Sequence, residues 1–295
     1  MAIFEGAGVA LITPFNEDFS VNYPELDRIL DDQIANGTDA IIICGTSGEA
    51  ATLSEQEHMD VVRHTVKYVN HRIPVIAGTG SNCTETAIML SKEAEEAGAD
   101  GCLVVTPYYN KCTQAGLIRH FEMIAEAITI PIILYNVPSR TGVNMTAQTV
   151  AYLADHVSNI VGIKEASGNI AQVTEIASLV DTEAFAIYSG NDDMIIPLMS
   201  VGGKGVISVL SNVAPRQTHD MCAKFLAGDV AGARKIQLDA FELIKSLFCE
   251  VNPIPAKAGM NMQGFAAGPM RMPLTEMTDA NKARLEKAMR EFGCL

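Results

Sequence analysis

Eight short apolar runs, rich in β-branched residues, punctuate the first two-thirds of the chain, and stretches with helical periodicity separate them. They are Gly8–Ile12, Ala40–Cys44, Val75–Gly78, Cys102–Thr106, Ile132–Tyr135, Val161–Lys164, Phe185–Ser189 and Gly205–Val209. Each run is continuous rather than alternating, as strands covered on both faces must be. Strict alternation of strand and helix makes neighbouring strands parallel, and eight of them predict an α/β fold, a (β/α)8 TIM barrel. A doubly wound sheet has the same rhythm, but it usually opens its first helix with a glycine fingerprint. Here Gly6-Ala7-Gly8 stands before a strand instead.

The intervening segments carry their own signals. Leu26, Ile29, Leu30 and Ile34 share one helical face, Ser54 and Glu57 form a capping box, and Met59, Val62, Val66 and Val69 continue the stripe of that second helix. After residue 214 the strand signal stops. Pro215–Leu226, Val230–Phe248 and Thr278–Phe292 read as helices, with a Met- and Gly-rich stretch between the last two. The expected organisation is a barrel over residues 1–214, then the last barrel helix and a C-terminal helical extension over 215–295.

Composition narrows the function. Hydrophobic residues make up 48% and charged residues 19%, the balance of a chain with a large core. A net charge of -14, with no local cluster of Lys and Arg, argues against nucleic acid and anionic membrane as partners. The start, Met1 to Gly6, lacks the basic and apolar regions of a signal peptide, and no run is long enough to span a membrane, so a soluble cytoplasmic protein is expected. Seven scattered cysteines without a C-x-x-C pair read as reduced thiols, and six histidines show no H-E-x-x-H arrangement. Gly202-Gly203-Lys204-Gly205 lacks the P-loop spacing. No metal and no cofactor is implied.

In such a barrel the chemistry collects at the C-terminal ends of the strands. The sixth run ends in Lys164, on the same face as Gly162, which aims the lysine into the barrel mouth and Glu165 away from it. An ordinary lysine, with a pKa of about 10.4, is almost wholly protonated at neutral pH, and burial would favour the nucleophilic amine. The competing reading is a strand-end lysine pointing to solvent. The fifth run ends in Tyr135, ahead of a turn carrying Arg140; a tyrosine can move protons and an arginine can grip a carboxylate, though the two also fit packing and solvation. After the second run, Gly45-Thr46-Ser47-Gly48-Glu49 offers backbone N–H groups and two hydroxyls to a small carboxylate, or is a glycine turn that caps a helix. Tyr108 and Tyr109 follow the fourth run as an aromatic pair, with a subunit contact as one use.

Taken together, G-T-S-G-E at 45–49, V-T-P-Y-Y-N at 105–110, Y-N-V-P-S-R-T-G at 135–142, G-I-K-E-A-S at 162–167 and N-P-I-P-A-K at 252–257 resemble the dihydrodipicolinate synthases, of the N-acetylneuraminate lyase superfamily of pyruvate-dependent aldolases, end to end. The resemblance implies a lyase that condenses pyruvate with L-aspartate 4-semialdehyde through an imine on Lys164. It implies Tyr135 as proton shuttle, joined in a relay by Thr46 and by Tyr109 of a neighbouring subunit. Arg140 would orient the carboxylate of the aldehyde, Ser47 would stand in for the usual threonine at the pyruvate carboxylate, and Gly190 and Ile207 would line the pocket with backbone. Asn191 replaces a usual aspartate. A homotetramer, a dimer of dimers, is implied as well.

The same resemblance places a regulatory cleft at Ala50, Ala51, Glu55, His58, Asn82, Thr86 and Tyr108. Asn82, His58 and Tyr108 keep the pattern of lysine-inhibited members, while Ala50 replaces a serine, Glu55 a histidine and Thr86 an acid. Loss of a charge-assisted bond of about 1.5–3 kcal/mol to the lysine ammonium predicts weak or absent feedback. Two other functions remain open: an aldolase acting on N-acetylneuraminate or a keto-deoxy sugar acid, against which Arg140 speaks, and a non-catalytic keto-acid sensor, against which the full set Lys164, Tyr135, Thr46 and Tyr109 speaks.

Overall fold

Eight parallel strands close on themselves in sequence order in the computed structural model, which describes residues 2–295. They are β1 (Gly6–Ala10), β2 (Ala40–Ile43), β3 (Val75–Gly78), β4 (Gly101–Val105), β5 (Ile132–Asn136), β6 (Ile160–Glu165), β7 (Ala186–Ser189) and β8 (Gly205–Ser208), and β8 pairs with β1. The fold is a (β/α)8 barrel. Ile42, Ile76, Leu103, Ile133, Tyr188 and Ile207 pack with Phe4 inside it, and the alternate residues of the same strands join the helices in a larger outer core. Both strand faces are therefore dry, which is why the sequence shows continuous apolar runs.

β1 begins two residues earlier than its apolar run suggests. Gly6 pairs with Gly205 at the closing seam, and a Cβ on Gly205 would sit 1.9 Å from the Gly6 carbonyl oxygen, so only glycine lets the two backbones approach. Beyond Ala10 the ladder ends: Leu11 N–H still donates to Ile42 O, but Ile12 N–H donates to the Asn212 side chain. Gly6 and Gly205 are the weld of the barrel.

The Ser54–Glu57 capping box is present at helix Glu55–Val69. Helix Pro215–Leu226 lies against β1 and β8. The expected helix Val230–Phe248 breaks at Ala240 into Val230–Asp239 and Phe241–Leu247. The Met- and Gly-rich stretch holds an unexpected helix, Ile254–Met262, packed on helix Asp279–Phe292. Pro253 and Pro255 disguise it, yet a proline in the first helical turn removes only an N–H that has no intrahelical partner. Among the described residues no helix is long and apolar enough to cross a membrane.

Candidate active site

Lys164 occupies the last turn of the ladder in β6, with Tyr135 as its register partner on β5 and Tyr188 on β7. Its side chain turns inward and is 5% exposed. Nζ lies 4.4 Å from the centroid of the Tyr135 ring, and no carboxylate forms an ion pair with it among the described residues. The two flanking tyrosines differ in freedom. Tyr188 Oη donates to Phe4 O at 2.7 Å and its ring stacks on Phe4, which makes it part of the barrel plug. Among the described residues, Tyr135 has no such fixed partner for its hydroxyl. Glu165 points the other way, as strand alternation requires, and accepts from Asn136 Nδ2, Gln172 Nε2 and the Ser167 N–H.

Small residues bring the neighbouring loops close to this lysine. A Cβ on Gly162 would meet Ala186 O at 2.6 Å, and one on Gly190 would meet the Ala166 Cβ at 2.5 Å. Gly190 N–H donates to Glu165 O, so the turn after β7 lies against the residues that follow Lys164. Ile207 is fully buried in the inner core.

The turn after β2 is tight: Gly48 N–H donates to Gly45 O and Glu49 N–H to Thr46 O. Ser47 is buried, and its Oγ accepts from Asn252 Nδ2 at 3.0 Å. That leaves the Ser47 hydroxyl proton free for a ligand oxygen. Arg140 sits on a single helical turn, Pro138–Thr141, where the sequence suggests an ordered turn, and its Nη2 donates to Asn252 O at 3.4 Å. Asn252 thus touches both loops.

A cavity of about 490 Å³ opens here. Thr46, Tyr135, Arg140 and Asn252 line it, together with most of the expected regulatory residues: Ala50, Ala51, Glu55, His58, Thr86 and Tyr108. Lys164, Ser47, Gly190, Ile207, Asn82 and Tyr109 do not line it. Tyr109 stands apart altogether, 91% exposed, and no hydrogen bond joins it, Thr46 and Tyr135 among the described residues. Nor do three His, Cys, Asp or Glu side chains converge there as metal ligands would.

Comparison with known proteins shows the family. The profile of the dihydrodipicolinate synthetase family matches residues 3–292. The 4-hydroxy-tetrahydrodipicolinate synthase of Lachnoclostridium phytofermentans is 58% identical over the whole of both chains, and that of Acetivibrio thermocellus 55% identical over 99% of each. The crystal structure of dihydrodipicolinate synthase from Aquifex aeolicus superposes with a TM-score of 0.96 at 45% identity, covering 99% of each chain. The chain belongs to the dihydrodipicolinate synthetase family. It is an enzyme, a lyase built on a class I aldolase barrel.

Within this synthetase the cleft residues divide by role. His58 Nε2 lies 2.7 Å from Gly78 O, a contact that ties helix to strand, and burial holds its imidazole below its usual pKa. Asn82 accepts from Asn110 Nδ2 through its carbonyl. Asn191 opens a 3-10 turn in which its N–H donates to, and its carbonyl accepts from, the Ser189 hydroxyl, and its side chain makes no hydrogen bond among the described residues, so the turn does not depend on an aspartate there.

Three groups escaped the reading of the sequence. Asn252 and Lys257 lie in the N-P-I-P-A-K motif, whose place in the site appears only when the chain returns more than 200 residues later. Asp192 follows Asn191 and is buried, with Oδ2 accepting from the Val209 and Leu210 N–H groups. Burial pushes its carboxyl up, against hydrogen bonds from Ser208, Leu210 and Val209 and the positive charge of Lys164.

Proposed function

We propose that Lys164 is the nucleophile by which this enzyme condenses pyruvate with L-aspartate 4-semialdehyde to give 4-hydroxy-tetrahydrodipicolinate. Full-length identity to curated synthases supports the activity. The observation that carries the assignment of the nucleophile is the buried Lys164 amine over the Tyr135 ring at the mouth of a closed barrel.

The unprotonated amine attacks C2 of pyruvate, and water leaves to form an iminium. Loss of a proton from C3 gives the enamine, whose C3 bonds to the aldehyde carbon while the aldehyde oxygen gains a proton. The amino nitrogen of the second substrate then attacks the iminium carbon, displaces Lys164 and closes the ring. Overall one water is released and no electron changes hands, so the reaction as written calls for no cofactor.

Tyr135, whose hydroxyl lacks the fixed partner that Tyr188 has, moves the protons. Thr46 and the Tyr109 of a second copy complete its relay. Ser47, with backbone at Gly190 and Ile207, holds the keto acid, and Arg140 takes the carboxylate of the aldehyde. Exposure of Tyr109 supports a homotetramer assembled as a dimer of dimers. With Glu55 and Thr86 in the cleft, free lysine at sub-millimolar concentration leaves turnover unchanged; inhibition in that range contradicts this reading.

The test is a coupled assay: pyruvate and the semialdehyde are mixed with the protein, and a dihydrodipicolinate reductase reports product through NADPH loss. Turnover that disappears in Lys164→Ala supports the assignment. A folded wild type without turnover would redirect it to the sugar-acid aldolases, and turnover surviving in Lys164→Ala would remove the nucleophile.

A further inference from the structure

The C-terminal extension grips the turn after β2 at two points. Asn252 reaches Ser47, as described. Two residues further along, Glu49 carries a carboxylate that is 1% exposed, and Lys257 Nζ, on a side chain 2% exposed, donates to its Oε1 at 2.9 Å. The other oxygen, Oε2, accepts from the Arg271 N–H at 3.1 Å. Lys257 Nζ also donates to Pro269 O at 2.8 Å and lies 4.3 Å from the centroid of the Phe15 ring, so it is fully engaged.

A buried ion pair is a poor stabiliser in its own right, because desolvation of both charges offsets their attraction and apolar side chains would fill the same space. What the pair does supply is a fixed position. Glu49 needs one: its φ of 53° lies in the left-handed region that residues with a Cβ avoid. Because Glu49 N–H bonds Thr46 O and Gly48 N–H bonds Gly45 O, a displaced Glu49 carries Thr46 and Ser47 with it. Thr13 Oγ1 holds the floor of the turn through Gly48 O at 2.8 Å, and the extension holds its far end. Glu49 lines the cavity, whereas Lys257 does not.

We propose that Lys257 is a positioning residue for pyruvate capture: through Glu49 it sets the Thr46–Ser47 turn so that both hydroxyls face the keto acid, without touching substrate itself. The proposal rests on the reading of Thr46 and Ser47 as groups that meet the reacting centre. It makes the helical extension part of the pyruvate site, since the helix Ile254–Met262 that carries Lys257 lies outside the barrel.

The experiment uses Lys257→Met and the double variant Lys257→Met/Glu49→Gln in the full chain. Borohydride trapping followed by intact mass gives the pyruvate concentration for half-maximal adduct, and thermal melts give Tm. The single variant lowers Tm, because Glu49 is left buried and unpaired, and the double variant recovers it. Both are expected to need at least about tenfold more pyruvate, the scale of a misplacement near 1 Å or less, while KM for the aldehyde stays within about threefold. A folded double variant with the wild-type pyruvate dependence would overturn the proposal and leave the pair as a staple. A wild type that traps no pyruvate would instead overturn the reading of the site beneath it, and the proposal with it.

Discussion

The corner formed by β5 and β6 and the corner after β4 present their tyrosines in opposite ways. At the first, Tyr135 is 7% exposed, held in the ladder on both sides, with its ring beneath the Lys164 amine. At the second, Tyr109 is 91% exposed with φ at 71°, although its neighbour Asn110 is anchored by a side-chain bond to Asn82 O. A side chain held in an unfavourable backbone conformation and aimed at water makes sense when something outside the chain receives it. One corner is finished by its own strands; the other, on the reading proposed above, is half of a contact between copies.

Four changes break or sharpen that contrast. Tyr135→Phe keeps the ring under Lys164 and removes only the hydroxyl, so it is expected to lower kcat by about 10²–10⁴-fold, measured in the coupled assay. A loss under threefold would make Tyr135 packing and the first corner less complete than described.

Beyond the second corner, the next helix carries a buried histidine. His120, on the helix that follows β4, shares a proton with Thr84 Oγ1 and is buried, which pushes its pKa down to about 4. Its folded pKa is lower than its unfolded value near 6.5, so the unfolded chain binds the proton more readily. Stability is therefore full above pH 6.5 and declines as pH falls towards 4, by up to about 3 kcal/mol. Melts across that range should show the decline in wild type and a flatter profile in His120→Gln; equal slopes would contradict it.

Arg140→Ala, next in size, is expected to raise KM for the semialdehyde roughly 10- to 150-fold, the value of one or two charge-assisted bonds of about 1.5–3 kcal/mol, while pyruvate trapping is unchanged. A change confined to pyruvate would assign Arg140 to the other substrate. Tyr109→Phe is expected to lose about tenfold in kcat, at the low end for a group that assists proton transfer. Exchange of its subunits with those of inactive Lys164→Ala should raise activity per Tyr109→Phe chain, because mixed dimers contain a site with both groups intact. No gain on exchange would place Tyr109 outside the site.

The barrel was legible because its strands are buried on both faces and therefore read as unbroken apolar runs; Val75–Gly78 agrees to the residue. Strand alternation alone aimed Lys164 inward and Glu165 away. The start of β1 was missed at Gly6 and Ala7, which precede the apolar run; Gly6 forms the seam with Gly205. Helix Ile254–Met262 was hidden by its own prolines. The bonds from Asn252 to Ser47 and from Lys257 to Glu49 join positions 205 and 208 residues apart, and no local pattern encodes such a distance. The regulatory residues were read as a site of their own, whereas the fold merges most of them with Thr46 and Tyr135 in one cavity.

Two lysines are buried near this cavity, Lys164 and Lys257, and the account gives only the first a covalent role. The direct test is reduction of the protein with borohydride in the presence of pyruvate, followed by peptide mapping of the adduct. A pyruvate-derived mass on the peptide containing Lys164, lost in Lys164→Ala and retained in Lys257→Met at saturating pyruvate, is the predicted result. An adduct on Lys257 or on any other lysine, or none in the folded wild type, would contradict it.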